Sequence, residues 1–276
     1  MNDEEIKFWL DLCPKIAEKV EQSIDFARED PHVTSITKIG ADGTPTHKID
    51  EYAENAAIEV LKSTGKSLIV ISEEIGTIKL GNNQAEAVLI MDPLDGTTNA
   101  MKNLPCYGIS IAIASTEKNK SLEDITLEDI EVAFVKNFPT GDTYLAVKDK
   151  YACKNSKPIH VSNVEEAKKA TLSTYLYRSK CDMNNIYSHV RRMRIMGAIA
   201  VEMCFVAEGI YDVFLDTQAV RVLDIAASQL IIKEAGGYIT DINSNVLSSQ
   251  IDLLEKTTIV ATTNQKLQEE IIRLLE

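Results

Sequence analysis

Residues 85–100 read AEAVLIMDPLDGTTNA, and the way this stretch is parsed decides the fold. The run EAVLIMD is apolar, too short for a typical helix and ends in an acid, so it predicts a short buried strand with Asp92 and Asp95 at its exit. Strand exits are where α/β folds gather their chemistry. Pro93 fixes the chain between the two acids and Gly96 lets backbone approach closely, so both carboxylates and the Leu94 carbonyl can be presented to cations. The N–H groups of Gly96 and Thr97 then stand where a backbone nest can hold phosphate oxygens. A tight turn explains the proline and the glycine, but it does not explain the whole string.

Two further segments bring acids to element ends. Upstream, SLIVIS (67–72) predicts a strand, and SEEIG places Glu73 and Glu74 just beyond it. Downstream, Asp224 opens a helix after VRVL. Together the three segments offer hard oxygen ligands of the kind Mg²⁺ prefers. Each also has a plain structural reading: Asp224 and Asp50 as helix N-caps, Glu73 and Glu74 as a solvated turn.

Around these segments the chain divides into two halves. The first predicts a helix over 3–29 with an irregularity at Pro14, and a helix over 50–62 carrying Ala53, Ala56, Ala57, Val60 and Leu61 on one stripe. GISIAIAS follows as a strand, and EVAFVKNF and TYLAVKD form a hairpin through PTG. The polar stretch KDKYACKNSKP predicts a boundary, giving an N-terminal α+β domain over 1–153 and a C-terminal α/β domain over 154–276. The second half predicts strands at TLSTYLY, RRMRIM, YDVFLD, GGYITD and TTIVAT, with helices over 198–208, 224–235 and 265–275. Gly209 stops the first of these helices and Gly236 and Gly237 the second. Two such halves share an interface, where clefts commonly hold ligands.

Composition removes several function classes. Hydrophobic residues at 45% and charged residues at 26% are ordinary for a soluble globular chain. A net charge of -13 argues against a nucleic-acid surface, since VRRMR is the only compact basic run. It allows a small anionic substrate if bound cations reverse the local charge. No apolar run approaches the roughly 20 residues that span a bilayer, and the acidic start MNDEEIKFWLDL is unlike a secretory signal, so a cytoplasmic protein with no membrane partner is expected. Five cysteines without a CxxC pair predict reduced thiols, and four scattered histidines give no zinc spacing. No GxSxG nucleophile motif is present.

MDPLDGTTN, with SEEIG before it and LDIAASQLIIKEAGG after it, resembles the inositol monophosphatase family of Mg²⁺-dependent, lithium-sensitive phosphatases. GADGTPTHKID and RIMGAIAVEMC are similar to its archaeal members that act on both fructose 1,6-bisphosphate and inositol phosphates. The resemblance implies an α+β fold, a layered α/β/α/β/α sandwich of the sugar phosphatase type, with the active site between two sub-domains. It implies Glu73, Asp92, the Leu94 carbonyl, Asp95 and Asp224 as ligands for two or three Mg²⁺ ions. Asp50 and Thr97 would position and activate the attacking water, and Asp95, Gly96 and Thr97 would contact the substrate. A homodimer is also implied.

Substrate choice draws on other residues. If RRMRIM is a strand, Arg192 and Arg194 share a face and can hold a second phosphate; a solvated basic face is the alternative. Arg221 lies three residues before Asp224, within reach of a sugar or distal phosphate, and Gly197 and Ala198 can offer N–H groups to a ligand. Inositol-specific relatives carry an acid seven residues before the last metal-binding aspartate; here that position is Thr217, beside Asp216. Two rivals stand beside the sugar phosphatase: a 3′-phosphoadenosine 5′-phosphate phosphatase on the same scaffold, and a non-catalytic protein binding divalent metal.

Overall fold

The computed structural model describes residues 1–116, 122–175 and 183–276. Leu176 and Tyr177 of the expected strand TLSTYLY, and Cys181, lie outside the described residues. The chain opens with α1 (Asp3–Ala27), a hairpin of β1 (Ile36–Ile39) and β2 (Pro45–His47), and α2 (Lys48–Ser63). It continues through β3 (Leu68–Ser72), β4 (Gly76–Leu80), β5 (Ala87–Asp95), α3 (Thr97–Lys102) and β6 (Gly108–Ser115). Next come β7 (Ile130–Asn137), β8 (Asp142–Val147), β9 (Tyr151–Lys154) and β10 (Lys157–Pro158). The second half holds β11 (Thr171–Thr174), α4 (Asn184–His189), β12 (Arg192–Arg194), α5 (Ile199–Ala207), β13 (Val213–Arg221), α6 (Val222–Glu234), β14 (Tyr238–Thr240), β15 (Lys256–Thr262) and α7 (Gln265–Arg273).

Two main sheets result. The first runs β10-β9-β8-β7-β6-β5-β3-β4 and the second β12-β11-β13-β15-β14. Three apolar cores fix the layers. One joins α1 and α2 to the outer face of the first sheet. Another packs α5 and α6 between the two sheets, and a third sets α4 and α7 on the far side of the second. This is the five-layer α+β sandwich expected from the resemblance.

Local chemistry explains the parts that carry the site. Every residue of β5 is buried, as a strand covered on both faces requires. The strand runs on through Pro93 to Asp95, pairing with β6 at Asp92↔Ser110 and Asp95↔Gly108 and shifting register between them. Proline cannot donate to the ladder, so the irregularity falls there, and such bulges re-aim side chains.

Two expectations need correction. Pro14 does not interrupt α1: it lies on the exposed side of a continuous helix whose buried stripe includes Ile6, Trp9, Cys13, Ile16, Val20 and Ile24. KDKYACKNSKP is no bare linker, because it builds β9 and β10 at the edge of the first sheet. The β1–β2 hairpin, β4 and α4 were not expected from the sequence.

Candidate active site

Asp92 and Asp95 leave the bulge with different attachments. Asp92 accepts the Leu94 N–H at 2.9 Å, which closes the turn over Pro93. Asp95 reaches across to α5, where it accepts Ile199 N–H at 2.9 Å and Val201 N–H at 3.2 Å. It therefore caps that helix and ties the two halves of the chain together. Gly96 follows at φ 88°, and a Cβ there would stand 3.0 Å from the Ala198 methyl and 3.2 Å from the Cys106 carbonyl. Only glycine allows this approach.

Thr97 begins α3, and its hydroxyl lies 2.8 Å from Asp50 Oδ1 and 3.3 Å from the Leu94 carbonyl. Asp50 stands in the first turn of α2 and also accepts the His47 N–H at 2.8 Å. Asp50 is therefore not the N-cap of α2, which is His47, but the third helical residue, reaching back to the cap's N–H with one oxygen and meeting Thr97 with the other. Asp224 is the third residue of α6 rather than its N-cap, which is Arg221. Glu74 is no solvated turn residue: it is 8% exposed, takes a hydrogen bond from the Thr46 hydroxyl, and its N–H meets Glu54 at 3.2 Å.

Asp50, Glu73, Glu74, Asp92, Pro93 and Leu94 line one small cavity of about 10 Å³. Burial raises the Asp92 carboxyl well above the usual range, and the charges of Glu73, Asp95 and Asp224 add to it. Burial likewise lifts Glu73 to about 8 despite the opposing Arg221, and Asp95 to about 7 with repulsion from Asp224. Asp50 and Asp224 are raised by burial as well.

Arg221 sits elsewhere than expected. Its guanidinium bonds Glu73 at 2.7 Å, both oxygens of Asp224 at 3.1 and 2.7 Å, and Asp42 in the β1–β2 turn. Its donors meet carboxylates, so its placement is not that of a group extended toward a sugar. Among the described residues, no three acids converge closely enough to form a ready-made cation site. The donor set nonetheless fits a hard dication. Asp92, Asp95, Glu73, Asp224 and the Leu94 carbonyl are all oxygen donors, and Asp92 and Asp95 have no ion pair with Arg221. Buried carboxylates that repel one another stay ionised at neutral pH only beside compensating positive charge.

The remaining substrate candidates divide. Arg192 and Arg194 are both exposed on β12 and flank the half-buried Met193, as strand alternation predicts. Arg194 donates to its neighbour's carbonyl at 2.8 Å. Gly197 and Ala198 do not offer N–H groups to a ligand, because Glu202 takes them at 2.8 and 3.4 Å. Thr217 and Asp216 are buried on β13, 5% and 3% exposed. Four residues of the site went unnoticed in the sequence: Asp42, Glu54, Asn99 and Glu202. The spacing of Asp50 and Glu54, one helical turn apart, was the available signal for one of them.

The sequence model of the inositol monophosphatase family matches residues 2–276. A fructose-1,6-bisphosphatase/inositol-1-monophosphatase of Methanothermobacter thermautotrophicus is 39% identical over 280 residues, covering 100% of this chain and 99% of its own. A bifunctional NADP phosphatase/NAD kinase of Methanococcus maripaludis is 36% identical over 95% of this chain, which spans 48% of that longer protein. A solved Pyrococcus horikoshii protein, described as having similarities to inositol-1 monophosphatase, superposes with a TM-score of 0.83 at 28% identity, covering 98% of this chain and 99% of its own. A solved inositol monophosphatase–fructose 1,6-bisphosphatase gives 0.83 at 27% identity, covering 97% and 99%.

Proposed function

The chain belongs to the inositol monophosphatase family and is a phosphomonoesterase, and from that premise we propose that it hydrolyses fructose 1,6-bisphosphate and inositol 1-phosphate with Mg²⁺. The observation that carries this reading is the 2.8 Å contact between the Thr97 hydroxyl and Asp50 beside the acid-lined cavity. Holding metal needs no such pair. Activating water does.

Glu73, Asp92, Asp95, Asp224 and the Leu94 carbonyl would hold two or three Mg²⁺ ions. When bound, the metal supplies a nucleophilic water near neutral pH and neutralises charge on the leaving oxygen. Thr97 orients the attacking water, and Asp50, kept basic by burial, draws proton density through that hydroxyl. The Gly96 and Thr97 N–H groups cradle the phosphate. Phosphorus gains the water oxygen, and the sugar oxygen departs with a proton. Arg192 and Arg194 stand for a second phosphate. We read the chain as a cytoplasmic homodimer; among the described residues, no helix is long and apolar enough to cross a membrane.

A second reading keeps the chemistry and changes the leaving group. The relative named for NADP phosphatase activity matches over almost the whole chain, so a nucleotide 2′-phosphate joins 3′-phosphoadenosine 5′-phosphate as an alternative. A substrate panel decides among them. Phosphate release from fructose 1,6-bisphosphate and inositol 1-phosphate should vanish with chelator and return with Mg²⁺. Arg192→Ala should raise KM for the bisphosphate more than for the monophosphate. Dominant turnover of NADP or 3′-phosphoadenosine 5′-phosphate would move the assignment, and no turnover of any ester would leave a metal-binding protein.

A further inference from the structure

Glu202 is fully buried on α5, and its carboxylate accepts the N–H groups of the turn that leads into that helix. Oε1 takes Met196 N–H at 3.0 Å and the Ser173 hydroxyl from β11. Oε2 takes Gly197 N–H at 2.8 Å and Ala198 N–H at 3.4 Å. The next donors, Ile199 and Val201 N–H, go to Asp95. From the opposite side Asn99 holds the Met196 and Cys106 carbonyls, each at 2.6 Å. Residues 196–201 are thus suspended between two carboxylates, one from their own helix and one from the metal-ligand string.

We propose that Glu202 is a positioning residue for the metal site: it fixes the 196–198 turn, and through that turn sets the orientation of the Asp95 carboxylate. The inference rests on the metal assignment proposed above. Its physical basis is directional. Asp95 points its oxygens according to where Ile199 and Val201 N–H stand, and those amides stand where the preceding turn leaves them. A neutral amide cannot replace Glu202. Each carboxylate oxygen receives at least one backbone N–H, so glutamine in either flip sets its own NH₂ against a backbone donor.

Calorimetric Mg²⁺ titration of chelator-stripped protein tests this without reference to turnover. Glu202→Gln should weaken Mg²⁺ binding by about 10- to 100-fold, the effect usual for partners that orient a ligand. Ser173→Ala removes only the hydroxyl and should leave binding close to wild type. If the glutamine variant does not fold, Glu202→Asp keeps the charge on a shorter stem and should still weaken binding. In the wild type, Mg²⁺ should slow amide hydrogen exchange across 196–198 as well as 199–201. Unchanged affinity in whichever variant folds, or protection confined to 199–201, overturns the inference alone. A wild type that binds no Mg²⁺ overturns the metal assignment and this inference with it.

Discussion

Arg221 shows how a single side chain can hold three segments that are far apart in sequence. Asp42 comes from a surface hairpin, Glu73 from the end of β3 and Asp224 from α6, and one guanidinium pairs with all of them. Lysine, a point charge, cannot span that set. Removing one partner from a largely buried charge network costs about 3 kcal/mol or more, because the others are left uncompensated. In chelator, Arg221→Gln should therefore lose several degrees of Tm. Added Mg²⁺ should restore most of the loss, since a dication among Glu73 and Asp224 supplies the missing charge. Scanning fluorimetry with and without metal measures it, and an equal loss under both conditions would separate Arg221 from the metal site. The sequence named Glu73, Asp92, Asp95 and Asp224 because acids at element ends are visible one segment at a time. It misplaced Arg221 because its carboxylate partners Asp42 and Glu73 come from distant segments, and spacing near Asp224 says nothing of them.

At the scale of elements, periodicity marked the long helices and buried strands, while irregular pieces escaped it. β5 and β6 were legible because both are uninterrupted apolar runs of strand length. β1 was not, since all of its residues are exposed and it pairs only with β2. β13 was read as ending at Asp216, yet it continues to Arg221 across a register shift between Asp216 and Val220. The shift contains Ala219 at φ 74°, a left-handed conformation that costs a non-glycine residue about 1–2 kcal/mol. The bulge sits just before Arg221 and Asp224, so the strain is stored where the strand delivers its site residues. Ala219→Gly should stabilise the protein by about 1 kcal/mol once the greater freedom of glycine in the unfolded chain is subtracted. Denaturant melts would report it as a higher midpoint at constant slope. A destabilised variant would show that the Ala219 methyl contributes more by packing than it costs by strain.

At the scale of the whole molecule, the boundary expected from the sequence between 1–153 and 154–276 falls inside β9, leaves β10 of the first sheet in the second half, and is crossed by the core. The first sheet has α1 and α2 on one face, but its other face is covered by α5 and α6 from the second half. Val88, Ile90 and Val135 belong to that shared core and are 1% exposed or less. Leaving these three side chains in water would forfeit roughly 5–9 kcal/mol, which is comparable to the whole stability of an ordinary domain. Polarity marked a boundary at KDKYACKNSKP, but polarity does not record which helix covers which sheet, so the interlock was not legible. A fragment ending at Ser156 should therefore be insoluble or lack fixed tertiary structure, while the full chain melts in one cooperative transition. Near-UV circular dichroism and calorimetry of both provide the check. A fragment with native-like near-UV signal and its own sharp transition would show that the N-terminal half folds alone, and that α5 and α6 contribute to the site without being needed for the core.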